Sequence, residues 1–190
     1  MSYIEIPPDY HFPWYVHLFL ANQRRRYGRE LEPAQLWARS PKVFVGLSVL
    51  YGALDRKSSP IEPALRTLIT VLISQINWCA FCVDINSATA LKRGLTEARL
   101  AALREFEASP LFDARIKAAL AYAVAVTGTR VDANLMARLK SYFNDDAIIE
   151  LTALIAFQNL SSKFNSALDV AAQGFCNTPQ PPNTRPENQG

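Results

Sequence analysis

The sequence predicts an all-α fold. Strand signals, meaning alternating β-branched residues joined by tight hairpin turns, are nearly absent from the 190 residues. Apolar residues instead recur at helical spacing in successive segments, and proline or glycine separates one segment from the next. Apolar residues make up 49% of the chain and charged residues 19%, which supplies ample material for a buried core.

Prolines, glycines and capping residues set the expected helix boundaries. Pro13 is suited to begin a first helix and Gly28 to end it, and Gly94 has the same ending role further along. The residue before a proline avoids helical geometry, so Pro41 interrupts the second segment. Asn144 is a good N-cap for the last helix. The predicted helical segments are 13–27, 33–55, 61–76, 79–93, 96–106, 113–127, 132–143 and 144–168.

The chain is expected to form one helical domain over residues 1–176, because its length suits a single core. Residues 1–32 form an amino-terminal arm and the first helix within it. Residues 177–190 hold four prolines and no aromatic residue, and we expect a disordered tail there.

Composition excludes several classes of function. The net charge is only +3, which is too small an excess for a nucleic-acid footprint. The apolar runs fall short of the ~18–20 residues that a bilayer crossing requires, and the amino terminus lacks the pattern of a secretory signal. Three cysteines are too few for a disulfide scaffold. We therefore expect a soluble cytoplasmic protein without nucleic-acid or membrane partners.

The sharpest chemical signature is the Cys-x-x-Cys motif of Cys79 and Cys82. Residues three apart lie on one face of a helix, so the two sulfurs are expected to be close. Asn77 could cap that helix, and the dipole at its amino end would then lower the pKa of the thiols. Close, activated thiols are what a dithiol–disulfide cycle needs.

The two cysteines also allow a structural or a metal-binding role. Free cysteine is among the most buried residue types, so the pair could simply belong to the core. A zinc site needs about four ligands, and the remaining candidates are only Cys176, His11 and His17. A thioredoxin fold is disfavoured by the missing strands. Neither a metal nor a cofactor is expected.

The residues around the motif carry a family resemblance. A Ser-x-x-Asn stretch at 74–77 precedes the cysteines, and Lys-Arg-Gly-Leu follows at 92–95. Together with the apolar helix before them, these features resemble the carboxymuconolactone decarboxylase and alkylhydroperoxidase-D-like superfamily. The resemblance spans roughly residues 33–176, with 158–168 similar to the distal helix of longer members.

This resemblance implies a helical bundle with two similar halves that assembles as a homo-oligomer, often a trimer or hexamer. It implies an antioxidant peroxidase that takes a hydroperoxide or another small-molecule substrate and is recycled by a thiol reductant. In that scheme Cys82 attacks the peroxide, and Cys79 then closes the disulfide. Decarboxylase activity is disfavoured, because members of that type generally lack the cysteine pair.

The chain departs from the family pattern at two positions of the proton relay that the resemblance implies. In that relay a His takes the proton of the second cysteine, and a Glu supports the transfer. Active peroxidase members carry a Glu twelve residues before the first cysteine and a His four residues after the second. These positions are Thr67 and Asn86 here, and neither side chain titrates near neutral pH. General-base help contributes ~10²–10⁴-fold, so its loss predicts a slow peroxidase.

Glu150 is the candidate replacement for the missing acid. A faint internal alignment of residues 67–85 with 150–168 pairs Thr67 with Glu150, which lies in an apolar stretch. A carboxylate there must find a partner or take a raised pKa. The alternatives are a structural hydrogen-bonding role for Glu150, or a histidine, His11 or His17, that reaches the cysteines from a neighbouring subunit. Asp84 is expected to turn away from Cys82, as a solvated or interface carboxylate.

The sequence thus predicts a thiol-dependent peroxidase with a weakened relay and a catalytic set of Cys82, Cys79 and Glu150. The rival prediction is a catalytically inactive helical oligomer that binds a small ligand or a partner. The retained cysteine pair favours the first, and the residues at positions 67 and 86 favour the second.

Overall fold

The computed structural model describes residues 2–176, and within them it contains helices and no strand. The all-α prediction is therefore confirmed. The tail expected at 177–190 lies outside the described residues. The helices are α1 (Trp14–Tyr27), α2 (Glu32–Ala38), α3 (Pro41–Leu54), α4 (Pro63–Ile76), α5 (Ala80–Lys92), α6 (Glu97–Ala101), α7 (Ala114–Thr127), α8 (Ala133–Lys140) and α9 (Asp145–Ala167), with a 3₁₀ turn (Ala102–Glu105) after α6.

The helix ends follow the local signals of the sequence. Gly28 and Gly94 lie just beyond α1 and α5 in the left-handed region, with φ of 77° and 84°, where glycine carries no steric penalty. Asp113, Asp132 and Asn144 accept hydrogen bonds from the first turns of α7, α8 and α9. These contacts satisfy backbone N–H groups that would otherwise lack an acceptor.

Helix α4 is the centre of the larger core. It packs against α5, α7 and α9, and its side chains are buried on nearly every face. Leu68, Ile69 and Ile73 are almost completely inaccessible and belong to a cluster that also holds Leu120 of α7 and Ile155 of α9. Because α4, α5 and α9 are fixed against one another in this way, polar side chains between them have defined positions.

A second apolar cluster covers the amino end of α5. Val16 and Leu20 of α1 and Phe44 of α3 pack there together with Cys79 and Cys82. The cysteine pair therefore lies where the amino-terminal helices meet the central bundle.

The segment after α9 is held down by Asp84. This carboxylate is 5% exposed and accepts hydrogen bonds from the backbone N–H groups of Gln173 (2.9 Å) and Cys176 (2.7 Å). The expectation of a solvated Asp84 is therefore wrong, because the returning chain supplies two donors that compensate for its burial. Asp84 does turn away from Cys82, as its helical position predicts.

Helix α3 leaves much of its apolar surface uncovered. Phe44 and Leu54 are its buried residues, whereas Val43, Val45 and Val49 are exposed. Within residues 2–176, none of the helices combines the length and apolarity that a membrane crossing would need.

Candidate functional site

The turn between α4 and α5 positions the two cysteines. Trp78 adopts φ of 52°, and the N–H of Cys79 donates to the Ser74 carbonyl at 3.0 Å, which closes the end of α4. The chain then starts α5 at once, and the Cys79 sulfur accepts a hydrogen bond of 3.1 Å from the N–H of Cys82. Cys79 itself is therefore the N-cap of α5, and the expectation that Asn77 fills this position is wrong.

Asn77 instead ties this turn to α9. Its Nδ2 donates to Asn159 Oδ1 at 2.9 Å and to Ser162 Oγ at 2.8 Å, and its carbonyl accepts from Ser166 Oγ at 2.7 Å. These three contacts fix the turn against α9, because together they hold both the side chain and the backbone of Asn77.

The sulfurs of Cys79 and Cys82 form a disulfide. Both residues are buried, and Asn165 of α9 donates through Nδ2 to the Cys82 sulfur at 3.2 Å. Asn165 is 1% exposed, and no donor among residues 2–176 reaches its Oδ1. A buried amide that faces the sulfur stabilises a thiolate there, because hydrogen bonds to charged acceptors are the stronger ones.

Cys82 opens onto a cavity of about 300 Å³ between the amino-terminal helices, α5 and α9. Helical spacing produces its walls, because residues at i, i+3, i+4, i+7 and i+11 share one face. The stripe on α5 is Cys82, Ile85, Asn86, Thr89 and Arg93, and the stripe on α9 is Leu154, Phe157, Gln158, Ser161 and Asn165. Aromatic side chains from α1 to α3 close the opposite side, namely Phe19, Tyr27, Trp37, Phe44 and Tyr51.

Asn86, one of the two altered relay positions, is part of a fixed polar network at the cavity wall. Its Nδ2 donates to Ser74 Oγ at 3.2 Å, and Gln158 Nε2 donates to the same oxygen at 3.0 Å. Ser74 Oγ in turn donates to the Thr70 carbonyl at 2.5 Å. The network orients the Asn86 amide but supplies no group that accepts a proton near neutral pH.

Thr67, the other altered position, belongs to a charged network. Its Oγ1 donates to the Pro63 carbonyl at 2.7 Å and accepts from Arg93 Nη1 at 2.8 Å. Arg93 Nη2 also binds both carboxylate oxygens of Asp55, at 2.8 and 2.9 Å, and Arg66 approaches the same carboxylate at 3.3 Å. An acid is thus present near position 67, but it comes from the end of α3.

Sequence reasoning missed Asp55 and Arg93. Arg93 carried a usable signal, since it lies eleven residues after Cys82 and therefore on the same face of α5. Asp55 carried no such signal, because its place in the site depends on how the end of α3 meets α4.

Tyr51 lies one turn before Asp55 and has a pKa above its ordinary value of 10.0. The main cause is that the phenol loses hydration in the cavity wall, and the second is the nearby carboxylate of Asp55.

Glu150 lies elsewhere. It pairs with Arg56 and accepts from Ser59 Oγ at 3.0 Å, and it is not among the residues that line the cavity within the described chain. The hydrogen bond from Arg56 lowers the pKa of the Glu150 carboxyl against the opposing effect of burial. The alignment with 67–85 fails locally, because that segment crosses the turn between α4 and α5 whereas 150–168 runs along α9.

The remaining candidates lie apart from the cysteine pair. His11 and His17 are exposed, and His17 contacts the edge of the Phe12 ring. Cys176 lies on the segment anchored by Asp84. No group of three or more His, Cys, Asp or Glu residues that could hold a metal ion occurs in the part of the chain that the structure describes.

Comparison with known proteins agrees with this architecture. The sequence model of the carboxymuconolactone decarboxylase family matches residues 42–125, a stretch that contains α4, α5 and both cysteines. The uncharacterized protein YnjA of Escherichia coli is 44% identical over 159 residues, which are 83% of this chain and 87% of YnjA. The chain belongs to the carboxymuconolactone decarboxylase family. The resemblance to the alkylhydroperoxidase-D-like superfamily is therefore confirmed.

Solved structures with the family fold superpose closely. A peroxidase-related protein from Silicibacter sp. TM1040 has a TM-score of 0.79 at 20% identity, with 88% of this chain and 90% of that chain covered. A protein of unknown function from Agrobacterium tumefaciens, for which an antioxidant defence role of the AhpD type is suggested, has a TM-score of 0.67 at 25% identity, with 72% and 94% covered. Both share the helical fold of this chain.

Proposed function

We propose that this protein is a thiol-dependent peroxidase that reduces hydroperoxides through Cys82 and Cys79. One observation carries the proposal: Cys79 and Cys82 are paired, and Cys82 belongs to a cavity wall. Two cysteines three residues apart at the start of one helix can form a disulfide with modest local change, which suits repeated oxidation and reduction. Membership in a family with antioxidant members supports the same conclusion.

The proposed reaction has two chemical steps. In the reduced protein, the Cys82 thiolate attacks the terminal oxygen of the hydroperoxide, the O–O bond breaks, and the alcohol leaves after it takes up a proton. Cys82 is then a sulfenic acid. The Cys79 thiol attacks its sulfur, water leaves, and the disulfide forms. A dithiol reductant returns both cysteines to thiols and becomes a disulfide itself.

Two features of the site support the attack by Cys82. Its sulfur lies in the first turn of α5, where the helix dipole stabilises negative charge. Asn165 contributes a hydrogen bond to the same sulfur. Since Thr67 and Asn86 cannot carry the proton away, turnover is expected to be slow by the ~10²–10⁴-fold that a general base contributes.

The proposal is tested with the reduced wild-type chain and a hydroperoxide. Mass spectrometry of the peptide that holds both cysteines should show a loss of two hydrogens, and a thiol reductant should reverse it. Cys82→Ser should abolish peroxide consumption, whereas Cys79→Ser should stop at oxidised Cys82. Cys176→Ser is the matched control and should behave as wild type. Oxidation confined to Cys79, or no consumption by the wild type, would overturn the proposal.

The altered relay positions favour a second candidate function, a binding protein without turnover. The side chains of Thr67 and Asn86 are both engaged in fixed hydrogen bonds at the wall of an apolar cavity. Such a protein would bind a small apolar ligand and leave hydroperoxide unchanged. The experiment above separates the two functions, because only the first consumes peroxide.

Self-association is part of the same proposal. Val45 and Val49 lie four residues apart on α3 and form an exposed apolar face, and a second copy of this chain would remove them from water. Family resemblance favours a trimer or a hexamer.

A further inference from the structure

One end of the cavity carries two arginines that share a carboxylate. Arg93 binds both oxygens of Asp55 at 2.8 and 2.9 Å, and Arg66 reaches the same carboxylate at 3.3 Å. All three residues line the cavity. The single carboxylate of Asp55 balances only one of the two guanidinium groups, so the three side chains together retain one positive charge.

The other charged groups nearby do not remove that charge. Glu150, which lies outside the cavity lining, is paired with Arg56, so that pair adds no net charge. Arg26 also lines the cavity, with its guanidinium 5.3 Å from the centre of the Tyr27 ring. The cavity lining therefore contains three arginines, Arg26, Arg66 and Arg93, and one carboxylate, Asp55. An apolar cavity with such an excess favours an anion.

Arg66 has a hydrogen-bond donor to spare. The residue is 4% exposed, and its Nη1 donates to the carbonyls of Arg56 (3.2 Å) and Ile61 (3.0 Å). Its Nε has no acceptor among residues 2–176. A buried charged donor without an acceptor is costly, so a bound anion at this position would gain a contact that the protein leaves open.

The arginines and the reactive cysteine lie at opposite ends of one wall. Cys82 and Arg93 are eleven residues apart on the same face of α5, which corresponds to about 16 Å at 1.5 Å per residue. Ile85, Asn86 and Thr89 of α5 and Phe157, Gln158 and Ser161 of α9 line the space between them, and the aromatic side chains of α1 to α3 close the opposite side. A ligand that reaches from one end to the other must therefore be long and anionic at one end, and the aromatic wall favours an apolar middle.

The geometry points to a carboxylate subsite, and we propose that the preferred substrates are fatty-acid hydroperoxides. The carboxylate of the substrate would bind Arg93 and the open Nε of Arg66, which places the apolar chain along α5 and α9 and the peroxide beside Cys82. This inference rests on the proposed peroxidase function for its chemistry, but the anion subsite itself requires no turnover.

Binding is tested first, with the disulfide form of the wild-type chain and no peroxide. Decanoate and decanol have the same chain and differ in charge, so calorimetric titration with both isolates the carboxylate contribution. We expect decanoate to bind at least ~10-fold more tightly than decanol, as a charge-assisted hydrogen bond would give. Equal affinities would overturn the subsite.

Removal of a positive charge and removal of a negative charge should change the affinity for decanoate in opposite directions. Arg93→Gln should weaken decanoate binding at least ~10-fold and leave decanol binding unchanged, because one of the anion's two partners is lost. Asp55→Asn should tighten decanoate binding, because it removes the carboxylate that competes for both arginines. A merely structural role would instead weaken binding of both ligands in both variants. Arg138→Gln is the matched control, since Arg138 also forms a two-point pair, with Glu107, away from the cavity.

If the Arg93→Gln and Asp55→Asn proteins do not fold, Arg26→Gln still tests the anion subsite. Arg26 is exposed on α1, so its replacement should leave the fold intact and weaken decanoate binding by a smaller factor than Arg93→Gln. No change in a folded Arg26→Gln protein, together with unfolded Arg93→Gln and Asp55→Asn proteins, would count against the subsite.

A second arm separates this inference from the peroxidase function. Oxidation of the reduced chain is measured with a fatty-acid hydroperoxide and with its methyl ester. We expect faster oxidation by the acid, and the difference should disappear in Arg93→Gln. If neither compound oxidises the cysteines while decanoate still binds, the peroxidase function fails and the subsite stands. If both oxidise the cysteines equally and decanoate binds no better than decanol, the subsite fails and the peroxidase function stands.

Discussion

The amide of Asn165 donates a 3.2 Å hydrogen bond to the sulfur of Cys82 across the interface of α9 and α5. The contact joins residues 83 apart in sequence and is almost completely buried. Cys82 is the proposed attacking cysteine, and Asn165 is a described residue whose polar side chain contacts its sulfur. A neutral donor at this position favours the thiolate without adding a charge to the cavity.

Replacement of Asn165 by leucine should raise the pKa of the Cys82 thiol in the reduced protein. A hydrogen bond to a charged group contributes ~1.5–3 kcal/mol, and ~1.4 kcal/mol corresponds to one pKa unit. The more basic thiolate is also somewhat more nucleophilic, so alkylation near neutral pH should slow by about threefold or more. Ser161→Ala, a polar cavity position on the same helix, is the control and should keep the wild-type pH profile. An unchanged profile in folded Asn165→Leu would remove this contact from the mechanism.

Restoration of the relay should increase peroxide turnover. Thr67→Glu combined with Asn86→His returns an acid and a base to the positions where the family carries them, and a general base predicts a gain of ~10-fold or more. Arg93 lies 2.8 Å from Thr67 Oγ1, so a carboxylate at position 67 would be held ionised and would compete with Asp55 for this arginine. Most of the gain should therefore require the imidazole at position 86.

The two single variants serve as controls for this experiment. Thr67→Glu alone should leave turnover close to wild type, because a carboxylate paired with an arginine is a poor base. Asn86→His alone should recover part of the gain. A folded double variant without any gain would mean that the cavity does not support the family's relay.

Local signals predicted the helices well, and they predicted the meeting of distant residues poorly. Gly28, Gly94 and Asn144 each determine a helix end through their own backbone or side chain, so sequence alone was sufficient there. The pairing of Asp55 with Arg93 depends on how α3 lies against α4 and α5. No local pattern encodes such an arrangement.

The same distinction explains the outcome for the predicted site. Cys79 and Cys82 are three residues apart, so their closeness follows from helical geometry and was predictable. Asn77 is not the N-cap of α5, although asparagine is a far commoner N-cap than cysteine, because it ends α4 and α5 begins only at Ala80. Its side chain binds α9 instead, which the sequence cannot show. The internal alignment favoured a catalytic Glu150, and the pairing of this residue with Arg56 arises from tertiary structure instead.

The uncovered face of α3 predicts a sensitive position for self-association. Val49 is 68% exposed on this face, so Val49→Lys should put a charge where a second copy would dock. We expect the wild-type chain to be an oligomer by light scattering at micromolar concentration, and the variant to shift towards smaller species with unchanged helical circular dichroism. Val131→Lys, an exposed valine between α7 and α8, is the control and should not shift the mass. A monomeric wild type would contradict the expected assembly.

The pair between Glu150 and Arg56 should make stability depend on pH with a defined sign. Arg56 lowers the pKa of Glu150 from its ordinary value of 4.5, so the folded state favours the ionised carboxyl. The stabilisation is fully present above that ordinary value and is lost as the pH falls through the lowered one. Because both side chains are partly exposed, Glu150→Gln should reduce the free energy of unfolding at pH 7 by only about 0.5–1 kcal/mol. Urea unfolding at neutral and acidic pH should show this difference shrink below the ordinary pKa.

Glu105→Gln is the control for this measurement, because Glu105 is an exposed carboxylate in the 3₁₀ turn and its replacement should change stability little at either pH. A Glu150→Gln effect that grows on acidification would contradict the assigned sign.

Glu150→Gln also tests the catalytic role predicted from the sequence. If Glu150 acts only through Arg56 and Ser59, the pH profile of Cys82 alkylation should match that of the wild type. Slower alkylation with an upward-shifted profile would instead return Glu150 to the mechanism as a base, since loss of a base leaves the thiol harder to ionise.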